Sequence, residues 1–151
     1  MLDHFAKDLI ATFPLGFVAT ITPGGHPSLS PKGTFLVLDD KTIAFGEIRS
    51  PQTLSHLSIN PEVEVNFIDQ WKRKGLRVRG STQTLRRGTA PFEDLIPQWQ
   101  NQWGDLANRI NALVIINVSS ASQMTTPPYD DGVSEEEMIA LYKAKYVEIY
   151  P

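Results

Sequence analysis

The apolar positions of this chain change period early. Leu2, Phe5, Leu9 and Phe13 recur at near-helical spacing and the run stops at Pro14, which predicts a short amphipathic helix over the first dozen residues. From there the pattern alternates. GFVATIT (16–22) is β-branched and aromatic, PGGHP (23–27) is a turn dense in glycine and proline, and the chain resumes as a strand through Ser28, which makes a hairpin. GTFLVLDD (33–40) continues or restarts that strand, Asp39-Asp40-Lys41 turns it, and KTIAFGE (41–47) returns, so a three-stranded antiparallel meander is predicted.

RSPQTLSHLSINP (49–61) reads as a short helix, with Ser50 as N-cap, Pro51 at the first helical position and Asn60-Pro61 as the stop. EVEVNFID (62–69) and KGLRVRGSTQTL (74–85) alternate again, the second setting Leu76 and Val78 against Arg77 and Arg79. Residues 90–110 carry Phe92, Leu95, Ile96, Trp99 and Trp103 at helical spacing, with Pro97 and Gly104 expected to break the helix into pieces. INALVIINV (110–118) is a continuous apolar run, the mark of a strand buried on both faces. TTPPYDDG is a loop, and SEEEMIALYKAKY (134–146) is a helix with Ser134 as N-cap, three acids in its first turn and lysines toward its end.

The sum is mainly β (β+α): about six strands with short helices at corners and ends. Hairpin connections argue for an antiparallel sheet that closes into a barrel rather than a doubly wound βαβ fold. A length of 151 residues fits one domain spanning 1–151. Hydrophobic and charged fractions of 41% and 21% are ordinary for a globular chain. No apolar stretch approaches a membrane span, and Asp3 and Asp8 stand where a signal peptide would be basic, so a cytoplasmic protein is expected. The absence of cysteine removes disulfides, thiolate metal sites and cysteine nucleophiles. His4, His26 and His56 are scattered without ligand spacing, and no serine sits in a nucleophile elbow, which leaves zinc and hydrolase chemistry without support.

The net charge of -3 is mild, yet seven of the 14 basic residues, Lys72, Arg73, Lys74, Arg77, Arg79, Arg86 and Arg87, fall in one stretch. Within SLSPKG, Ser28, Ser30 and Lys32 occupy alternate positions of a strand and so share one face. The helix opening at Ser50-Pro51-Gln52-Thr53 supplies unpaired N–H groups and a partial positive charge. These two features, with Lys74 and Arg77, would suit a phosphorylated ligand if the barrel gathers them. Each also has a plain structural reading: Ser30-Pro31 as an edge-strand bulge, Lys32 as a guard against edge pairing, Ser50 as a cap, and the basic run as a solvated strand face or a nucleic-acid surface.

The order of these segments resembles the FMN-binding split-barrel family of which pyridoxamine 5'-phosphate oxidase is the best-known member. The resemblance runs through FVATITPGGHPSLSPKGTF, DDKTIAFGEIRSPQTLSHLSINPEVEVNF and RKGLRVRGST, roughly residues 16 to 85, and more faintly through INALVIINV and PPYDDG. It implies a six-stranded antiparallel split barrel that binds FMN and forms a homodimer with two cofactor sites at the interface. Residue by residue, it implies that Ser28, Ser30 and Lys32 lie along the FMN, with Lys32 and the serines near its ribityl phosphate end. It implies that Phe45 and Gly46 pass backbone groups against the flavin, that Ser50, Gln52 and Thr53 open the phosphate-binding helix, and that Lys74, Gly75 and Arg77 belong to the strand at the ring edge or phosphate.

The chain departs from the oxidase pattern in three places. Gln52 replaces a basic residue, Gly75 stands where the oxidase has an amide side chain, and the C-terminus reads KYVEIYP instead of an arginine-rich strand. An FMN binder other than a true pyridoxamine phosphate oxidase is therefore expected, and relatives of this barrel also hold haem or F420. Trp71, Trp99 and Trp103 either help cover the cofactor or pack as ordinary core and helix-face residues. Three functional classes follow: a flavin-dependent oxidoreductase using NAD(P)H or another small redox substrate, with no nameable acid or base; a non-catalytic flavin carrier or redox sensor; and a nucleic-acid-binding barrel using Lys72 to Arg87.

Overall fold

The computed structural model describes residues 1–151. Its helices are His4–Thr12 (α1), Pro51–Ile59 (α2), Ala90–Trp103 (α3) and Glu135–Ile149 (α4), and its strands are Gly16–Ile21 (β1), Pro27–Lys32 (β2), Phe35–Asp39 (β3), Thr42–Glu47 (β4), Glu62–Asp69 (β5), Lys74–Arg86 (β6) and Ala112–Met124 (β7). All seven strands form one sheet in the order β2-β1-β5-β6-β7-β4-β3, and every neighbouring pair is antiparallel.

The seventh strand corrects the expected meander. Strand β2 pairs with β1, Ser30 opposite Val18, and β3 pairs with β4, Phe35 opposite Phe45, so two strands that are consecutive in sequence lie at opposite edges of the sheet. Only Gly33 and Thr34 join them. That link spans roughly 10 Å at full extension, so the sheet must curl until its edges approach. Thr34 holds the closure: its hydroxyl accepts the Gly46 N–H at 3.0 Å, and its carbonyl accepts the Trp99 indole N–H at 2.9 Å.

Inside the curl, alternate residues of the strands meet: Val18, Val65, Phe67, Val78, Phe45 and Val114 are all 1% exposed or less. Leu2, just before α1, and Ala6, Leu9 and Ile10 on it pack into this core, and Asp3 caps α1 by accepting the Ala6 N–H at 2.8 Å. A second core lies outside the sheet, where Phe92, Ile96 and Trp99 of α3 cover Ala44, Leu113 and Ile115. Strand β7 thus contributes to both cores, with Ala112, Val114 and Ile116 facing one and Leu113 and Ile115 the other. Its continuous apolar run follows from that.

Two boundaries differ from expectation for tertiary reasons. Helix α3 runs through Pro97 without a break and ends at Gly104, where φ is +58°. The proline ring faces solvent while Phe92, Ile96 and Trp99 are buried, so packing on the opposite side holds the helix across one missing hydrogen bond. Strand β7 continues past Val118 to Met124, because the polar stretch Ser119–Met124 is paired with the first half of β6. A bulge at Ser119 interrupts that ladder beside Gly80, where an added Cβ would be driven into the Asn117 carbonyl. No helix is long and apolar enough to cross a membrane.

Candidate functional site

Strand β2 presents its polar face as the alternation requires. Ser28, Ser30 and Lys32 stand opposite Thr20, Val18 and Gly16 on the inner side of the sheet, while Leu29 points outward and is 69% exposed. Lys32 is only 6% exposed. Its ammonium donates to the Ser30 hydroxyl at 2.9 Å and to the hydroxyl of Ser50, the N-cap residue of α2. The backbone N–H of Ser50 in turn donates to the Glu47 carboxylate at the end of β4, itself 3% exposed.

Lys32, Ser30, Ser50 and Glu47 therefore make one buried polar cluster where β2, β4 and the start of α2 meet. Burial pushes the Lys32 amine below its ordinary pKa, and the negative charge of Glu47 offsets part of that cost. The Ser50 hydroxyl accepts from Lys32 and makes no capping hydrogen bond to α2, and no other side chain does. The helix start keeps its donor character next to a buried ammonium, which is the chemistry of an anion site.

The other expected site residues are distributed as follows. Thr53 is buried on α2 and Gln52 is exposed beside it. Phe45 is fully buried against Phe35, with ring centroids 5.1 Å apart, and the Gly46 N–H and carbonyl both engage Thr34, so these two form the floor behind the cluster rather than its surface. Lys74 is held by Glu135 at 2.8 Å and lies over the Tyr129 ring, 4.7 Å from its centroid. Arg77 faces the outer side of the sheet, opposite Asn66, and pairs with Glu64 at 3.1 Å. Within one chain, then, Lys32 and Ser50 come together, whereas Lys74 and Arg77 do not join them. Gly75 is buried beside the Phe67 carbonyl and the Met124 methyl.

The basic stretch is mostly committed to partners. Lys72 and Lys74 share Glu135, Arg77 and Arg79 share Glu64, Arg73 lies over Tyr142, and Arg87 donates to the carbonyls of Ile110 and Ala107. Little of that charge is left as a free stripe for a phosphate backbone. Of the tryptophans, Trp99 is core, with no exposure, and Trp71 stacks on Phe13 at 5.8 Å.

Two residues of the region escaped sequence reasoning. Glu47 ends an otherwise apolar strand, and nothing in its neighbours signals that it turns inward. His56, read as one of three scattered histidines, shares a 2.9 Å hydrogen bond between its Nδ1 and the buried Thr20 hydroxyl, which lies opposite Ser28. Its partner lies 36 residues away, so no local spacing signals the pair.

No curated protein matches the chain. Among solved structures it is similar to HupZ of Group A Streptococcus, with 28% identity, a TM-score of 0.71 and coverage of 83% of this chain and 96% of that one. An FMN-binding protein from Syntrophomonas wolfei shares the fold at 14% identity, with a TM-score of 0.65 and coverage of 80% and 84%. HutZ, the heme storage protein of Vibrio cholerae, shares it at 15% identity, with a TM-score of 0.65 and coverage of 82% and 94%. The pyridoxamine 5'-phosphate oxidase family matches residues 2–127, and together with the curled seven-stranded antiparallel sheet and its four helices this establishes that the chain is a split-barrel member of that family.

Proposed function

We propose that this protein binds FMN and works as a flavin-dependent oxidoreductase. One observation carries the reading: a buried ammonium, Lys32, hydrogen-bonded to two hydroxyls, Ser30 and Ser50, at the uncapped start of α2. This donor set fits a phosphate. The ammonium and the helix start supply charge and dipole, and the hydroxyls supply adaptable donors. Glu47 is the one group of opposite character, and it fixes the Ser50 backbone from behind. When bound, the flavin would supply hydride or electron transfer between a nicotinamide cofactor and an acceptor. The residues of this chain would anchor its phosphate and set its pose.

A small barrel filled by its own core has no room for the whole of a cofactor of this size, which would extend from the Lys32 cluster past the edge at β2, where a second subunit can cover it. The outer face of β1 and β2 suits a second copy: Phe17 is 38% exposed, Ile21 38% and Leu29 69%, and Pro27 and Pro31 on the edge strand offer no N–H for further pairing. Arg77 lies on that same face, across Asn66 from Phe17, and would then sit at the seam between subunits.

The test is an absorption spectrum of the purified protein, followed by release of the chromophore on denaturation. Flavin absorption that is bleached by NADH or NADPH and restored by an acceptor supports the proposal. Bound flavin that neither nicotinamide reduces makes the protein a carrier or sensor. A Soret band, or a colourless protein that ignores added FMN, overturns the flavin assignment.

A further inference from the structure

Helix α4 lies beyond residues 2–127, the part that matches the family. It adds little to the core, since Met138 is its only buried residue. Its first turn is tied to the barrel by Glu135, which pairs with Lys72 at 2.9 Å and Lys74 at 2.8 Å. Further along, Tyr142 lies under the Arg73 guanidinium at 3.9 Å, and Tyr146 meets Trp71 edge-on at 5.4 Å. Between α4, α1 and the Asp69–Lys74 turn this leaves a cleft of about 480 Å³. That volume lies within the range of small-molecule sites. The cleft shares no lining residue with the Lys32 cluster.

The walls are aromatic and aliphatic: Phe5, Phe13 and Trp71 on the barrel side and Ile139 on α4. Phe13 and Trp71 are stacked nearly parallel, with 17° between their rings and centroids 5.8 Å apart, so together they form one aromatic wall. The polar groups around them are almost all spent. Lys72 and Lys74 share the Glu135 carboxylate, Asp69 accepts the N–H groups of Trp71 and Lys72, and Asp8 lies 3.0 Å from the His4 imidazole at the exposed rim. Thr12 and Lys143 are the exceptions, and of the two only Lys143 is charged. It lines the cleft from α4, is exposed, and forms no ion pair.

We propose that this cleft is a second ligand site that takes a flat aromatic monocarboxylate, its ring against Phe13 and Trp71 and its carboxylate on Lys143. An aromatic wall with a single uncommitted cation selects a ligand that is apolar over most of its surface and carries one negative charge. Closing α4 onto such a ligand would complete packing that the helix lacks on its own. The site is independent of the flavin assignment.

The experiment titrates 2-naphthoate into the full-length protein and follows tryptophan fluorescence and heat of binding, with uncharged 2-naphthalenemethanol as a second probe. Saturable one-to-one binding of naphthoate is expected. Lys143→Gln, a surface change, should weaken naphthoate about tenfold and leave the alcohol unchanged, and Trp71→Leu should weaken both probes. The proposal is overturned if naphthoate does not saturate, or if Lys143→Gln binds it as the unmodified chain does. FMN titrated alongside should be unaffected by Lys143→Gln in either case.

Discussion

Lys32 on β2 donates its ammonium to the hydroxyl of Ser50, 18 residues away at the start of α2, and this one bond closes a strand edge onto a helix end. A lysine so placed has given up most of its hydration and has gained hydroxyls and one carboxylate in return. A ligand anion would complete its solvation.

Lys32→Ala should therefore weaken FMN binding by about 1 to 3 kcal/mol, the range for a charge-assisted contact. Titration of the apoprotein by flavin fluorescence quenching measures it. Unchanged affinity would return Lys32 to a purely structural role at the sheet edge.

Glu47 and Lys32 should prove coupled in stability. Lys32→Met alone leaves a buried carboxylate without its countercharge and should lower stability by about 1 to 3 kcal/mol; adding Glu47→Gln should recover most of the loss. The same Glu47→Gln change on its own should tighten FMN by on the order of 1 kcal/mol, because a carboxylate no longer opposes the phosphate. Urea unfolding of the three variants and flavin titration of the third check both statements, and additive effects would show the pair to be uncoupled.

Docking of α4 should depend on pH in a direction set by Glu135. Hydrogen bonds from Lys74 and Lys72 hold its carboxyl below the usual carboxylate range, so the stabilisation is fully present above the ordinary value and is lost as pH falls through the lowered one. On the alkaline side the pair persists to beyond the ordinary lysine range, since the hydrogen bond with Glu135 raises Lys72. Trp71 fluorescence, which senses Tyr146 on α4, should change on acidification before the barrel unfolds. Glu135→Gln should show the undocked signal already at neutral pH, and a docked signal in that variant would refute the ion pair as the tether.

Gly80→Ala should destabilise the sheet by about 1 to 3 kcal/mol. A Cβ there meets the Asn117 backbone and the Ile116 side chain at the bulge between β6 and β7, and backbone cannot swing aside as a flexible side chain can. Denaturant midpoints measure the loss. Gly33→Ala, where a Cβ meets nothing within 4 Å, is the control and should change stability little.

What this chain determined by sequence alone is whatever depends on near neighbours. The alternation in β1, β5 and β6, the two-faced apolar run of β7 and the Ser134 capping box of α4 are each set by residues a few positions apart, and the structure has them all. So is the placing of Ser30 and Lys32 on one face of β2, and of Ser50 at a helix start. The ordered motifs were also enough to indicate the family.

Tertiary structure decided the rest, because charges and strand edges choose partners across the fold. Gly33 and Thr34 send β2 and β3 to opposite edges, which no local pattern separates from a continuous strand. Pro97 stays helical because the other side of α3 is buried. Lys74 finds Glu135 61 residues away, Arg77 turns outward to Glu64, and Glu47 turns inward to Ser50 beside Lys32. The sequence displayed the charges; only the folded sheet determined which of them meet, since a charge is neutralised by whatever the fold brings within a few ångströms of it.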